Sequence, residues 1–471
     1  MQIWHYEHFF LPETKGHMPN LQNSILSVLT IFLPLFSKPT FNKFLLLFQA
    51  HILCKGRRTV TELLRRMGLR DAKNFSDYHS FFNKNRWSAL DGAKILFLKL
   101  LSLLPENDSI YIALDTTVER RKGPQIKSLN IQRDAVRSTK SRKILVPGLL
   151  WLVCTLQIKL PWVDKVWALP FLTILMPPKK PLSSSKNKGD IKGRKREHKS
   201  LNEWASQVIK LLRRWAGDSI KLHIIGDSAF ATYLIANTCI DNNIKLTSRI
   251  RLDARTFEFP IANKNGRINL VGKRMQTFNE MLKNTSLEWN KDEVSWYSGK
   301  MKKIEFLTGI CLWYGYGERP VPIKWVLIRD PNGTIEPIAL FTLDLGLQPQ
   351  KIISIYISRW PIEVTFEEAR RHLGMETQRQ WSDKAIDRET PCILASFSII
   401  NLLALELLKA NDDKILIQAS SWYPKKHVTF SDILAYVRRY ILEKTYAPEF
   451  GQNTELWSKE FAEIINQMVA A

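Results

Sequence analysis

The chain is poor in the features of secreted, zinc-bound or membrane-spanning proteins. Its five cysteines (Cys54, Cys154, Cys239, Cys311 and Cys392) lie far apart with no paired spacing. That argues against a disulfide framework or a zinc site, and fits reduced core thiols in a cytosolic compartment. The longest apolar runs, Ile25 to Phe36, Ile144 to Leu156 and Leu394 to Leu408, are shorter than the roughly 18 residues of a membrane span or carry Pro or Glu. The first residues hold no basic start before an apolar run, so no signal peptide is expected. No repeat at solenoid spacing is present. Acidic residues are also scarce: 45 Asp and Glu face 69 Lys and Arg, a net charge of +24. That excess favours a polyanionic partner, nucleic acid or an anionic membrane surface. With 45% apolar and 11% aromatic residues the chain can bury a large interior, and its 471 residues suggest roughly two to four domains.

Organisation changes along the chain. Residues 1–108 read as helices: apolar positions recur at helical spacing from Leu21 to Phe48, with Pro34 and Pro39 as breaks. Thr59 or Thr61 can cap a short helix that Gly68 ends, and further helical patterns start at Asp77 and Ala89. Short helices studded with Arg fit a helix-turn-helix reader of DNA, or a plain helical bundle. Residues 109–250 alternate strand and helix, with strand-like runs at 109–115, 144–156, 163–176, 220–226 and 244–250 and helices at 201–215 and 232–239. Residues 251–350 are rich in short β runs, with a turn at Pro331-Asn-Gly333. Helix returns over 351–410, and a mostly helical tail fills 411–471. The stretch from Lys179 to Ser200 holds nine cations and little complexity. It reads as a solvated linker or as a contact for backbone phosphates.

Chemistry gathers around a few carboxylates. Tyr356, Arg359, Glu363 and Arg370 are three, four and seven residues apart, which places them on one stripe of a helix. The stripe is either a solvated ion-pair ladder or a carboxylate flanked by cations able to hold phosphate. Asp115 ends one apolar strand run and Asp227 another. A carboxylate at a buried strand end is costly unless a cap, an ion pair or a metal compensates it. Two such Asp and a helical Glu, with no zinc ligands nearby, point to a hard cation such as Mg²⁺.

These residues, in this order, resemble the DDE transposases of bacterial insertion sequences. The likeness runs from about residue 45 to 410. It includes Gly56-Arg-Arg-Thr, Leu114-Asp115-Thr-Thr-Val-Glu-Arg-Arg, Asp134-Ala-Val-Arg137, Gly226-Asp227-Ser-Ala-Phe230, Arg249-Ile-Arg-Leu-Asp253, and Tyr356 through Trp381. The resemblance implies an α/β fold: a ribonuclease-H-like mixed sheet flanked by helices, a β-rich insertion, and an N-terminal helical DNA-binding domain. It also implies that Asp115, Asp227 and Glu363 hold two Mg²⁺ ions, with Mn²⁺ as a substitute. Tyr356, Arg359 and Arg370 would contact phosphate, although Arg370 stands where the pattern usually has Lys. Trp360 would stack on a base or fill a core position. Arg120, Arg121 and Lys122, with Arg194, Lys195 and Arg196 of the basic loop, are further DNA candidates.

The expected activity is cut-and-paste transposition by a homodimer that joins inverted-repeat ends to target DNA, in a bacterial cytoplasm near the nucleoid and without a membrane. The alternatives are a catalytically silent DNA-binding derivative and a Mg²⁺-dependent site-specific nuclease. Among other acids, Glu367 is expected beside the site and Glu368 away from it. Asp134, Asp164 and Asp344 read as turn or ion-pair residues. His198 and His372 read as structural or DNA-proximal.

Overall fold

The apolar run from Ile110 to Leu114 seeds the central strand of an eleven-stranded sheet. In the computed structural model the described residues are 23–446, apart from 106–107, 135–136, 140, 180–197, 263–268, 297–299, 412–413 and 423. Arg194, Lys195 and Arg196 fall outside them. Strand β1 (Ile110–Arg120) pairs antiparallel with β3 (Leu145–Leu160) and parallel with β5 (Leu222–Gly226). Strand β2 (Asn130–Arg133) and β4 (Val163–Leu175) both pair with β3. β6 (Lys245–Ile250) lies parallel to β5. The long β3 is buried along most of its length, as expected of a strand covered on both faces, and β4 is buried from Ala168 to Leu172.

The β-rich segment beyond residue 250 does not stand apart. Its last strand, β11 (Ile338–Thr342), pairs antiparallel with β6 and with β10 (Val321–Arg329). β9 (Met301–Trp313) follows, flanked by β7 (Thr256–Phe257) and β8 (Asn290–Ser295). The insertion therefore extends the central sheet. A second apolar cluster, with Val326, Leu340, Ile352 and Tyr356, covers one of its faces.

Helices α1 (Asn23–Leu29), α2 (Lys38–Leu53), α3 (Val60–Arg66), α4 (Phe75–Asn83) and α5 (Ala89–Leu101) precede the sheet. Thr59 caps α3 through the Glu62 amide, and Gly68 turns out of it with φ 72°. Ile25, Phe41, Leu96 and Phe97 belong to the same core as Ile112, Trp151 and Leu394. Helices α1, α2 and α5 thus share the interior of the sheet, while Leu63 of α3 and Phe81 of α4 belong to a separate cluster against α2. Helices α6 (Leu201–Ala216) and α7 (Tyr233–Asp241) cross between strands, and α8 (Phe278–Lys283) sits in the insertion.

The carboxy-terminal half supplies α9 (Pro349–Ile357), α10 (Pro361–His372), α11 (Asp383–Asn411) and α12 (Phe430–Tyr446). Among the described helices α11 alone is long and apolar enough to cross a membrane, yet 67% of its most apolar window is buried in this fold. It packs against β4, α1 and α12 as a core helix.

Candidate active site

The stripe expected on one helix is carried by two. Pro361 has no N–H to continue the ladder, so α9 ends at Ile357 and α10 begins at Pro361. Between them the Arg359 and Trp360 amides donate to the carbonyls of Tyr356 and Ile357, a tighter spacing than the α-helix. Tyr356, on α9 before the break, joins Ile352 and Ile353 in the apolar cluster below the insertion, with only 8% exposed. Its phenol stays within electrostatic reach of Arg359. Trp360 points outward and is 39% exposed, which corrects the core alternative for that ring.

Arg359 occupies the centre of the site. Its Nη1 donates to Asp115 Oδ2 at 2.6 Å and its Nη2 to Glu363 Oε1 at 3.0 Å. Asp115 lies inside β1 and not at its end: the strand runs on to Arg120, because Thr116 to Arg120 pair with Leu152 to Gly148 of β3. The second oxygen of Asp115 accepts the Thr116 amide at 2.7 Å. Burial pushes its carboxyl up to about 6 against the pull of Arg359, and Asp227 and Glu363 push the same way.

Asp227 follows β5 directly. The parallel register that sets Ile110 beside Leu222 and Ala113 beside Ile225, carried two residues on, brings Asp227 level with Asp115. One Asp227 oxygen caps the turn Ser228–Phe230 by accepting the Ala229 amide at 2.9 Å. Ser248 Oγ donates to its carbonyl at 2.7 Å. A Cβ on Gly226 would lie 2.7 Å from Phe230 Cβ, so this sharp exit from the strand needs glycine. Glu363 sits in the first turn of α10, where the helix dipole favours a carboxylate. Its side chain is 41% exposed, against 14% for Asp115.

The donor set is all carboxylate, which fits a hard divalent cation. Three neighbouring negative groups also demand positive charge, and Asp115, Asp227, Glu363 and Tyr356 together raise the Arg359 pKa despite its burial. Among the described residues no three His, Cys, Asp or Glu side chains already stand in metal-ligating geometry. Arg359 fills the space between two of the acids.

Other candidates separate clearly. Arg121 is 5% exposed, donating to Glu119 Oε1 at 2.8 Å and to the Gln380 carbonyl, so it is a core residue and not a DNA contact. Arg120 pairs with Glu376 at 2.8 Å, and Lys122 is exposed. Arg370 is held by Thr117, Val118, Phe366 and Glu376. Glu367, one turn beyond Glu363 on α10, faces solvent and pairs with Arg371. Glu368 turns toward Lys425 and Asp432, and burial pushes its carboxyl up to about 7. Asp134 and Asp164 make ion pairs, and Asp344 closes a turn. His372 Nε2 lies 3.5 Å from Glu368 Oε2, and burial lowers its pKa to about 4. The residues that periodicity did not reveal are Thr117, Glu119, Glu376 and Thr390, polar positions whose only signal is their place inside apolar elements or turns.

The chain belongs to the DDE superfamily endonuclease family, whose model matches residues 31–302, more than half of its length. The matched region contains Asp115 and Asp227 and stops before Glu363. No curated protein matches the chain.

Proposed function

We propose that the protein is a DNA transposase that cuts at the inverted-repeat ends of an insertion sequence and joins the freed ends to target DNA. The observation that carries this reading is the meeting of Asp115, Glu363 and Arg359, with Asp227 directly after the neighbouring strand, in a chain of the DDE endonuclease family. The sheet order β4-β3-β1-β5-β6, with the first two pairings antiparallel and the last two parallel, supports a ribonuclease-H-like core.

Asp115, Asp227 and Glu363 would hold Mg²⁺ or Mn²⁺. Such ions, when bound, activate the attacking oxygen and stabilise the leaving one in phosphodiester displacement. Asp115 and Asp227 are fixed by strand and turn, while the more exposed Glu363 closes the site from α10. Arg359 serves as the internal counter-charge and stands ready to hold phosphate oxygens. Trp360, exposed beside it, offers a face for stacking on a base at the cut end.

DNA ends would lie across the basic surface. A groove at the α2–α3 turn, lined by Lys55, Arg57, Arg65 and Arg66 with Glu62 as its one acid, suits backbone phosphate. Two copies of the chain would hold the two ends together. Cleavage is the chemistry of an endonuclease family, and joining of the freed 3′ end to target DNA is the step that makes a transposase. Asp115→Ala and Glu363→Ala should abolish Mg²⁺-dependent cleavage of end DNA and leave end binding intact. Metal-dependent cleavage that survives in either variant would sink the assignment. Joined products from a 3′-hydroxyl end would separate transposition from simple nuclease action.

A further inference from the structure

Arg370 lies seven residues after Glu363, two turns further along α10. Its guanidinium is committed within the fold. Nε donates to Glu376 Oε1 at 3.0 Å, and Nη1 to the Phe366 carbonyl at 3.3 Å. Nη2 donates to Thr117 Oγ1 at 2.7 Å and to the Val118 carbonyl at 3.0 Å. Little of the five-donor fork is left for a phosphate. Thr117 and Val118 are the second and third residues after Asp115 on β1. Glu376 is itself gripped from that strand, accepting from Arg120 Nε at 2.8 Å. Its backbone takes φ 77°, a conformation few non-glycine residues adopt. An Arg370–Glu376–Arg120 plate therefore joins the far end of α10 to β1.

We infer that Arg370 is a positioning residue: it fixes the height of α10 along β1, and with it the place of Glu363 relative to Asp115. The inference rests on the reading of those two acids as the metal-holding pair. Apolar packing of Ile362, Phe366 and Ala369 holds α10 to the core, and Thr365 donates to the Ala168 carbonyl of β4. Apolar contacts alone tolerate small slides along a groove. Directed hydrogen bonds from a rigid planar group do not. A lysine brings three donors on a single nitrogen and cannot serve Glu376 and the two β1 acceptors as a planar fork does.

The test compares Arg370→Lys, Arg370→Ala and Thr117→Val in the full-length protein. Three readouts are taken: hydrogen exchange over residues 361–372, Mn²⁺ affinity without DNA, and binding and single-turnover cleavage of end DNA. Both Arg370 variants should exchange faster in α10. Their Mn²⁺ affinity and their cleavage at saturating DNA should fall by about 10- to 100-fold. DNA affinity and its salt dependence should stay at wild-type values, lysine should give no rescue, and Thr117→Val should move the same readouts by less. Full rescue by lysine would overturn the inference. So would a salt slope in Arg370→Ala shallower by about 0.9 with weakened binding, the mark of one lost phosphate contact. If Arg370→Ala does not fold, Thr117→Val decides, and unchanged exchange and metal affinity in it would count against the clamp. A wild-type protein without metal-dependent cleavage would remove the nuclease reading alone, since the exchange comparison still judges the clamp.

Discussion

Strand β1 presents two acid–arginine pairs four residues apart, and their surroundings differ. Glu119 is fully buried, and all its partners are internal: Arg121 Nη1, Trp151 Nε1 and Thr390 Oγ1 each donate to it at 2.8 Å. Asp115 meets Arg359, which reaches out to the half-exposed Glu363, with Asp227 close enough to add its charge. The first pair is closed and charge-balanced. The second holds more acid than its one guanidinium neutralises, at the edge of solvent. Position on a common strand does not make two acids alike. What marks a reactive site is the unbalanced charge together with access.

The largest expected effect breaks the closed pair. Glu119→Ala leaves Arg121 charged and buried without its partner, a loss of about 3–5 kcal/mol by the usual cost of splitting a buried pair. Glu363→Ala removes an exposed partner and should change stability by about 0.5 kcal/mol or less. Urea denaturation of both variants checks this. Equal losses would erase the distinction between the two pairs.

A smaller effect probes the open pair. Arg359 competes with any cation for Asp115 and Glu363, so Arg359→Gln should bind Mn²⁺ more tightly, by about tenfold if a neighbouring charge acts on a metal as it does on a proton. Electron paramagnetic resonance titration of the DNA-free protein measures it. Weaker binding would make Arg359 a scaffold for the acids and not their counter-ion. Arg121→Gln, the matched change in the closed pair, should leave the metal affinity alone.

Much of this contrast was hidden from the sequence, for physical reasons. Apolar runs ending near Asp115 and Asp227 did mark two neighbouring strands, and the spacing from Arg359 to Glu363 did mark one turn of contact. Hydrophobicity could not show that β1 continues past Asp115, because pairing with β3 and not apolar content carries Thr116 to Arg120 as strand. Pro361 does limit the second helix to starting nearby, as α10 does, but helical spacing alone cannot show that Tyr356 belongs to a separate helix, α9, and is buried by it. A charge pattern also cannot tell Arg120, at the edge, from Arg121, in the core, because alternation along a strand depends on which face is covered. Helical periodicity also cannot show that α1, α2 and α5 share one core with the sheet and α11, while α3 and α4 close a separate cluster against α2.

The subtlest expectation concerns a second acid beside the closed pair. Glu389 is fully buried next to Glu119, and burial, reinforced by Glu119 and opposed by Arg121, raises its carboxyl well above the usual value near 4.5. One of its oxygens has no hydrogen-bond partner. A neutral Glu389 reconciles these facts: Glu119 keeps the charge that answers Arg121, and Glu389 keeps a proton. An acid whose folded pKa is raised contributes stability that is whole below its unfolded pKa and is lost as pH rises toward the folded one. Glu389→Gln imitates the protonated form and has nothing to lose. Its stability relative to wild type should therefore grow from pH 4 to pH 8, reaching about 1 kcal/mol or more, as read from urea midpoints at a series of pH values. A flat difference for Glu389→Gln would mean that the buried cluster carries two charges on its acids, and that it is no better balanced than the site four residues earlier on the strand.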